Sequence, residues 1–130
     1  MFSKLVFIAS VAIAVVSAQF QVSCTTAGLN QASDCTQFLN DFCNDVSIVA
    51  TAIRVGDSAN RCFVTPRGHS CVFHAYNSNV NDHSPSGAAC KNAFTQVIDQ
   101  CPFGGFAVVP NNGSYTYTVE SNVALCNRSS

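Results

Sequence analysis

Two stretches of the chain repeat apolar residues at the three-to-four-residue spacing of an α-helix. The first is DCTQFLNDFCND, which begins at Asp34 and which Ser33 or Asp34 can cap. The second is PSGAACKNAFTQVIDQCP, which ends at a proline that a helix interior does not accept. Cys90 and Cys101 lie about three turns apart on one face of this helix, too far for a mutual disulfide. Each is therefore expected to join the helix to another element.

The segments between and after these helices have the β-branched and aromatic composition of strands. The predicted strands are SIVATAIRV, RCFVT, SCVFHAY, GFAVV and SYTYTVE. Turn-forming residues separate them, and Asn112-Gly113 is typical of a tight hairpin between the last two. The element order αβββαββ predicts an α+β fold with two main helices packed on an antiparallel sheet of about five strands.

Some predicted strands carry apolar side chains on both faces. In GFAVV, Phe106 and Val108 alternate with Ala107 and Val109. A sheet with one face in water alternates apolar and polar residues more strictly. We therefore expect both faces of the sheet to be covered, by helices on each side or by a second subunit.

Residues 1–18 have the organisation of a secretory signal peptide. Lys4 precedes an apolar run from Leu5 to Val16, and Val16-Ser17-Ala18 supplies small residues before the expected cleavage site. The run is short for a membrane span. We therefore expect a secreted, extracellular chain in which residues 19–130 form a single domain.

The mature chain contains eight cysteines, an even number in a small domain. In a secreted protein this count predicts a framework of four disulfides, and it leaves the pairing open. A Cys62–Cys71 bridge, for example, depends on the register of a hairpin. No C-x-x-C pair is present, which disfavours a cysteine metal site. The predicted disulfide cysteines are Cys24, Cys35, Cys43, Cys62, Cys71, Cys90, Cys101 and Cys126.

The charges and sequons of the mature chain bear on its partners. Without Lys4 the chain has five basic and seven acidic side chains, a net charge of −2, and no basic patch. We therefore expect no nucleic-acid partner and no direct membrane insertion. Two N-x-S sequons predict N-glycosylation at Asn112 and Asn127, the alternative being that they are unused.

All three histidines lie in HSCVFHAYNSNVNDH, residues 69–83. Strand alternation places His69 and His74 on opposite faces, so they cannot share a metal ion unless His69 belongs to the preceding turn. No acidic calcium loop is visible either. We expect no metal and no other cofactor.

The second half of this segment, AYNSNVNDH, and the strand SYTYT carry side chains that suit a sugar. Amides and carboxylates hydrogen bond to hydroxyl groups, and aromatic rings pack against C–H faces. The candidate glycan-binding residues are Tyr76, Asn77, Asn79, Asn81, Asp82, His83, Tyr115 and Tyr117. The alternative is that Asn and Asp only turn the chain and that the tyrosines pack the sheet.

A small secreted ribonuclease is the alternative function. His74, Glu120 and either Arg61 or Arg67 provide a general acid, a general base and a cation if their strands are neighbours. The scarcity of positive charge counts against RNA binding. Neither a carboxylate cluster nor a G-x-S-x-G motif indicates another hydrolase, and we assign no catalytic residue.

Four motifs, in their order along the chain, resemble a known family. DCTQFLNDFC, RCFVTPRGHSC, AACKNAFTQVIDQC and FGGFAVV are similar to segments of the small, cysteine-rich, secreted glycan-binding proteins of mushrooms. The resemblance covers residues 19–130 and implies one glycan-binding domain, a fungal lectin with an αβα-type sandwich and no catalytic step.

The same resemblance implies the ligand and the assembly. The expected ligands are fucosylated, N-acetylgalactosamine-containing glycans of cell-surface glycoproteins, and the expected role is defence or cytotoxicity. The expected assembly is a homodimer formed by strand exchange. Because the shared motifs are mostly structural, they assign no binding residue.

Overall fold

The computed structural model describes residues 20–45, 52–108 and 115–126. The predicted leader, most of SIVATAIRV, the Asn112-Gly113 hairpin and both sequons, at Asn112 and Asn127, lie outside these residues. None of the helices in the described ranges is long and apolar enough to cross a membrane.

Five antiparallel strands form one sheet in the order β1-β4-β5-β3-β2. The strands are β1 (Gln21–Cys24), β2 (Ser58–Val64), β3 (Ser70–Asn77), β4 (Gly104–Val108) and β5 (Tyr115–Asn122). The last four confirm predicted strands. The remaining strand, β1, was not predicted. It is a short edge strand with mostly exposed side chains and no clear alternation of apolar and polar residues. Of residues 52–55 in SIVATAIRV, Ile53 alone pairs, in an isolated bridge with His83.

The first helical segment is a 3₁₀ helix, Ala32–Phe38, that continues as α1, Leu39–Cys43. The predicted cap is wrong, since the segment begins before Ser33 and Asp34 and has no side-chain cap hydrogen bond. The Asp34 carboxylate is instead engaged by His69 at 3.0 Å and Arg67 at 3.1 Å. Tertiary contacts thus take the oxygens that a cap would use.

The second helix, α2 (Gly87–Gln100), confirms its prediction almost residue for residue. The Ser86 hydroxyl accepts a hydrogen bond from the Ala89 N–H at 3.0 Å and satisfies one of the free donors of the first turn. The helix ends before Cys101 and Pro102. Its buried stripe consists of Cys90, Ala93, Phe94, Val97 and Ile98.

Both helical segments pack on the same face of the sheet. The rings of Phe42 on α1 and Phe94 on α2 contact Phe73 on β3, with centroids 5.4 and 5.0 Å apart, and all three side chains are fully buried. Burying one such side chain stabilises the fold by about 1.5–3 kcal/mol. Within residues 20–45, 52–108 and 115–126, no helix covers the opposite face, which we call the open face. The α+β fold and its antiparallel sheet are as predicted.

The four predicted disulfides are confirmed, and their pairing is now defined. They are Cys24–Cys101, Cys35–Cys71, Cys43–Cys90 and Cys62–Cys126. As expected, Cys90 and Cys101 each join α2 to a different element. The register of β2 and β3 places Cys62 opposite Val72, so Cys62 and Cys71 lie on opposite faces of the sheet. This register excludes a Cys62–Cys71 bridge.

Candidate functional site

The open face presents rows of side chains that run across the strands. An outward threonine of β5 stands in each of two rows, between a residue of β4 and a residue of β3. The rows are Phe106–Thr118–His74 and Val108–Thr116–Tyr76. Directly opposed side chains on antiparallel strands are in contact range. The rows therefore place aromatic rings and hydroxyl groups side by side on one surface.

The side chains in these rows are accessible. Phe106 is 38% exposed and Tyr76 is 42% exposed. Neither Thr116 nor Thr118 has a side-chain hydrogen bond within the described part of the chain, so each hydroxyl can donate and accept. Exposed rings beside free hydroxyls match a sugar, which offers C–H faces and hydroxyls in alternation.

His74 is held in a defined orientation on this face. Its Nδ1 lies 2.6 Å from Asn60 Oδ1, which also accepts a hydrogen bond from the Ser58 hydroxyl at 2.9 Å. Because a carbonyl oxygen only accepts, Nδ1 carries the proton. In the neutral ring Nε2 is then free to accept a hydrogen bond from a ligand hydroxyl.

Asn77 organises the loop that follows β3. Its amide donates to the carbonyl oxygens of Ile53 at 2.6 Å and Asn81 at 3.1 Å, and its Oδ1 accepts from the Asn79 N–H at 2.8 Å. The side chain is fully buried. This corrects the hypothesis for Asn77, because its polar atoms bond to the backbone and do not reach the surface.

Tyr115 and Tyr117 are likewise interior residues, 1% and 2% exposed, on the helix-bearing face. The Tyr115 hydroxyl donates to the His83 carbonyl oxygen. Burial raises the pKa of Tyr115 to about 12, and burial together with the neighbouring Tyr115 raises the pKa of Tyr117. The hypothesis is corrected for both tyrosines, since strand alternation presents Thr116 and Thr118 to solvent in their place.

The remaining loop candidates are accessible beside the end of β3. The Asp82 Oδ1 accepts from the Val55 N–H at 3.1 Å, and the backbone of His83 pairs with that of Ile53 in both directions. These contacts hold the loop against residues 53–57. The accessible candidates are Asn79, which is half-buried, and Asn81, Asp82 and His83, which are exposed. The loop begins two residues after Tyr76, whose side chain is exposed on the open face.

His69 lies at the far end of β3 and faces the core. Its Nε2 is 3.0 Å from Asp34 Oδ2, and its Nδ1 is 3.5 Å from the Ser121 hydroxyl. The hydrogen bond from His69, with help from the Arg67 charge, holds the pKa of Asp34 below its usual value. Ser121 is buried, so this Ser-His-Asp contact joins the 3₁₀ helix to the sheet and is closed to a substrate.

The predicted opposition of the first two histidines is confirmed, because His74 faces the open side and His69 the core. Among the residues that the structure describes, no group of three or more His, Cys, Asp or Glu side chains is arranged to hold a metal ion.

Of the residues proposed for a ribonuclease, the structure brings His74 and Glu120 near each other but places both arginines elsewhere. His74 and Glu120 are diagonal neighbours on the open face, since Glu120 opposes Val72 on β3. Arg61 points to the other side of the sheet and forms an ion pair with Asp45. Arg67 lies with the 3₁₀ helix at the far end of the molecule. On the open face of the described chain, neither arginine can neutralise a phosphate beside His74.

The sequence-based hypothesis missed the outward residues of the rows. Phe106, Thr116 and Thr118 were absent from it, although the alternation of SYTYT already separates the threonines from the tyrosines. The missing information was the face that the helices cover, which requires the tertiary structure.

Comparison with known proteins returned one family. The sequence model of the family described as Glycan binding domain Y3 matches residues 34–126. The match spans well over half of the chain and includes β2 to β5, α1 and α2, and seven of the eight cysteines. A search of curated proteins found no match.

Proposed function

Since this chain belongs to the Glycan binding domain Y3 family and is a glycan-binding, non-enzymatic lectin, we propose a specific ligand for it. The proposed ligands are fucosylated, N-acetylgalactosamine-containing glycans of cell-surface glycoproteins. The proposed contact surface is the open face around Tyr76 together with the adjoining loop of residues 78–83.

The observation that carries this proposal is the pairing of exposed rings with free hydroxyls in the two rows. A sugar ring packs its C–H face on Tyr76 or Phe106, and its hydroxyls bond to Thr116, Thr118 and His74. Each hydrogen bond contributes about 0.5–1.5 kcal/mol net. A few such contacts give a dissociation constant of roughly 1 mM to 1 μM for one site.

A glycan array followed by calorimetry with a glycan that contains fucose and N-acetylgalactosamine tests the proposal. Tyr76→Ala should weaken binding about tenfold through loss of ring packing, and adding Asn79→Ala should weaken it further. Val80→Ala is the matched control, because Val80 is 89% exposed in the same loop and offers no polar group. We expect EDTA to have no effect. Unchanged affinity in a folded Tyr76→Ala, Asn79→Ala protein would remove this surface as the site.

We also propose that the protein is secreted after cleavage before Gln19. Its four disulfides support this proposal, because such frameworks form in oxidising compartments. Amino-terminal sequencing of protein from the culture medium tests it. A mass decrease after treatment with a glycosidase that releases N-linked glycans tests occupancy of Asn112 and Asn127. A chain retained in the cell with residue 1 intact would contradict secretion.

We further propose a homodimer with exchanged strands and a role in defence. Among the described residues, β1 and β2 are the edge strands of the sheet, and the backbone of an edge strand can pair with another chain. Two linked sites would raise avidity on a cell surface. Light scattering should give twice the chain mass, and cytotoxicity should fall with Tyr76→Ala. A monomer at micromolar concentration would contradict the dimer.

A further inference from the structure

The open face carries a recess at the end opposite the loop of residues 78–83. A cavity of about 210 Å³ lies against Glu120 and Asn122 and is closed by residues of the 25–28 turn. A second cavity, of about 370 Å³, lies between the sheet and residues 123–126. Asn122 lines both cavities, and Val72 of the second cavity stands directly opposite Glu120 of the first. We call these two neighbouring depressions together the Glu120 recess.

The first half of the Glu120 recess is polar. Glu120 is exposed, and within the described ranges neither its carboxylate nor the Asn122 amide has a hydrogen-bond partner. The residue opposite Glu120 on β4 is Gly104, with φ of +93°, where a Cβ would lie 2.4 Å from the Val119 carbonyl oxygen. Close strand approach therefore requires glycine there, and no β4 side chain fills the space beside Glu120.

The second half of the Glu120 recess is apolar and has a fixed wall. Val72 and the 59% exposed Leu125 line it together with the Cys62–Cys126 disulfide. The Ser70 hydroxyl donates to the Ala124 carbonyl oxygen at 2.6 Å. The disulfide and this hydrogen bond hold residues 123–126 against the sheet. The recess is therefore formed before any ligand binds, as is usual for small-molecule sites.

We propose that the Glu120 recess is a subsite for the acetamido group of an N-acetylhexosamine. This inference rests on the glycan-binding function proposed above. The acetamido N–H donates to the Glu120 carboxylate, and its carbonyl oxygen accepts from the Asn122 amide. Its methyl group enters the apolar half, against Val72 and Leu125. A 6-deoxy methyl group would use the apolar half alone and leave both polar side chains without a partner.

The same carboxylate makes the subsite selective for neutral sugars. A sialic or uronic acid would place a second negative charge beside Glu120, and among the described residues the one charged side chain that lines the recess is acidic. Repulsion of a competing ligand contributes to specificity as much as attraction of the correct one does.

Saturation-transfer NMR and titration with two methyl glycosides test the subsite. The probes are methyl N-acetyl-β-galactosaminide and methyl β-galactoside, which differ at the acetamido group. Wild-type protein should bind the acetamido sugar about tenfold more tightly, with the strongest saturation on its methyl protons. Glu120→Gln should reduce this preference about tenfold and leave galactoside binding unchanged. Leu125→Asn should reduce the methyl saturation. Val55→Asn should not, because Val55 has a similar exposure, 48% against 59% for Leu125, and lies at the other end of the sheet.

The outcomes separate this inference from the function on which it rests. If the wild type binds neither glycoside and no glycan on an array, the proposed function fails. If it binds, and Glu120→Gln and Leu125→Asn keep the wild-type preference while circular dichroism shows them folded, the subsite is overturned and the function stands. Equal weakening of both glycosides by Glu120→Gln would also overturn the acetamido assignment.

Discussion

Alternate residues of β5 have opposite roles, and the difference follows from their chemistry. Tyr117 packs its ring on Phe94 of α2 and Tyr115 stacks on Tyr117, both buried, whereas Thr116 and Thr118 stay at the open face. Burial of the larger apolar surface contributes more free energy. The small hydroxyl side chains are therefore the ones available to a ligand.

Asn77 is a second residue whose role is set by burial. Asn77→Ala should lower the free energy of unfolding by about 2–4 kcal/mol, because the Ile53 and Asn81 carbonyl oxygens and the Asn79 N–H lose their partner. Urea unfolding measures the loss, and amide exchange should report a loosened 78–83 loop. Asn79→Ala is the matched control, expected to cost about 0.5 kcal/mol or less. Equal losses in the two variants would argue against the anchoring role.

The buried tyrosines predict a loss of stability at alkaline pH. Burial raises the pKa of Tyr115 from 10.0 to about 12, so the folded chain keeps a proton that the unfolded chain releases. This contribution is complete below pH 10 and is lost as the pH rises through about 12. Absorbance at the tyrosinate band and urea midpoints across this range measure it. The decline should be shallower in Tyr115→Phe, and an identical decline would contradict the assignment.

At the scale of elements, the two helical segments differ in how far local sequence decides them. Ser86 caps the start of α2, Pro102 follows shortly after its end, and its apolar stripe packs on the sheet. In the first segment the predicted capping residue, Asp34, lies inside the 3₁₀ helix, and His69 and Arg67 bind its carboxylate. Cys35 on the same segment is bonded to Cys71 on β3. Its 3₁₀ geometry accompanies these tertiary connections.

Two alanine variants compare the observed cap of α2, Ser86, with Ser33, one of the caps that the sequence predicted for the first helix. Ser86→Ala should lower the free energy of unfolding by about 1 kcal/mol, since the Ala89 N–H loses its acceptor. Ser33→Ala is the control and should have little effect, because no side chain caps the 3₁₀ helix. Chemical denaturation and exchange of the Ala89 amide provide the measurements. A larger effect at Ser33 would restore the sequence-based cap.

At the scale of the whole molecule, the disulfides divide the fold into a core side and an open side. Cys43–Cys90 and Cys35–Cys71 are fully buried and tie helices to each other or to the sheet. Cys62–Cys126 is partly exposed and holds the terminal described residues on the open face. The first group supports the core, and the last shapes the Glu120 recess.

Removal of one disulfide from each side should have different consequences. Cys62→Ala with Cys126→Ala should lower stability by about 2–4 kcal/mol through loss of a chain constraint and should abolish the acetamido preference. Cys43→Ala with Cys90→Ala should cost more, because it also leaves a cavity in the core, and should spare the preference if folded. Urea unfolding and glycoside titration compare the pairs. If the two double variants lost the same stability and had the same sugar selectivity, the assignment of one disulfide to the core and the other to the Glu120 recess would be contradicted.

The sequence by itself determined the features that depend on local periodicity. The extent of α2, four of the five strands, the opposition of His69 and His74 and the number of disulfides follow from spacing, capping residues and cysteine count. The alternation of tyrosine and threonine in SYTYT was equally visible in the sequence. The sequence did not show which of the two sets of side chains faces the core. Of the eight candidate glycan-binding residues, five are accessible and stay candidates: Tyr76, Asn79, Asn81, Asp82 and His83.

Only the tertiary structure decided what depends on contacts between distant parts of the chain. It paired the cysteines, added β1 at the sheet edge, placed both helical segments on one face and buried Asn77, Tyr115 and Tyr117. It also brought Glu120 and Asn122 beside Leu125. Alternation assigns side chains to two faces of a strand, but long-range packing selects the face that water and a ligand can reach.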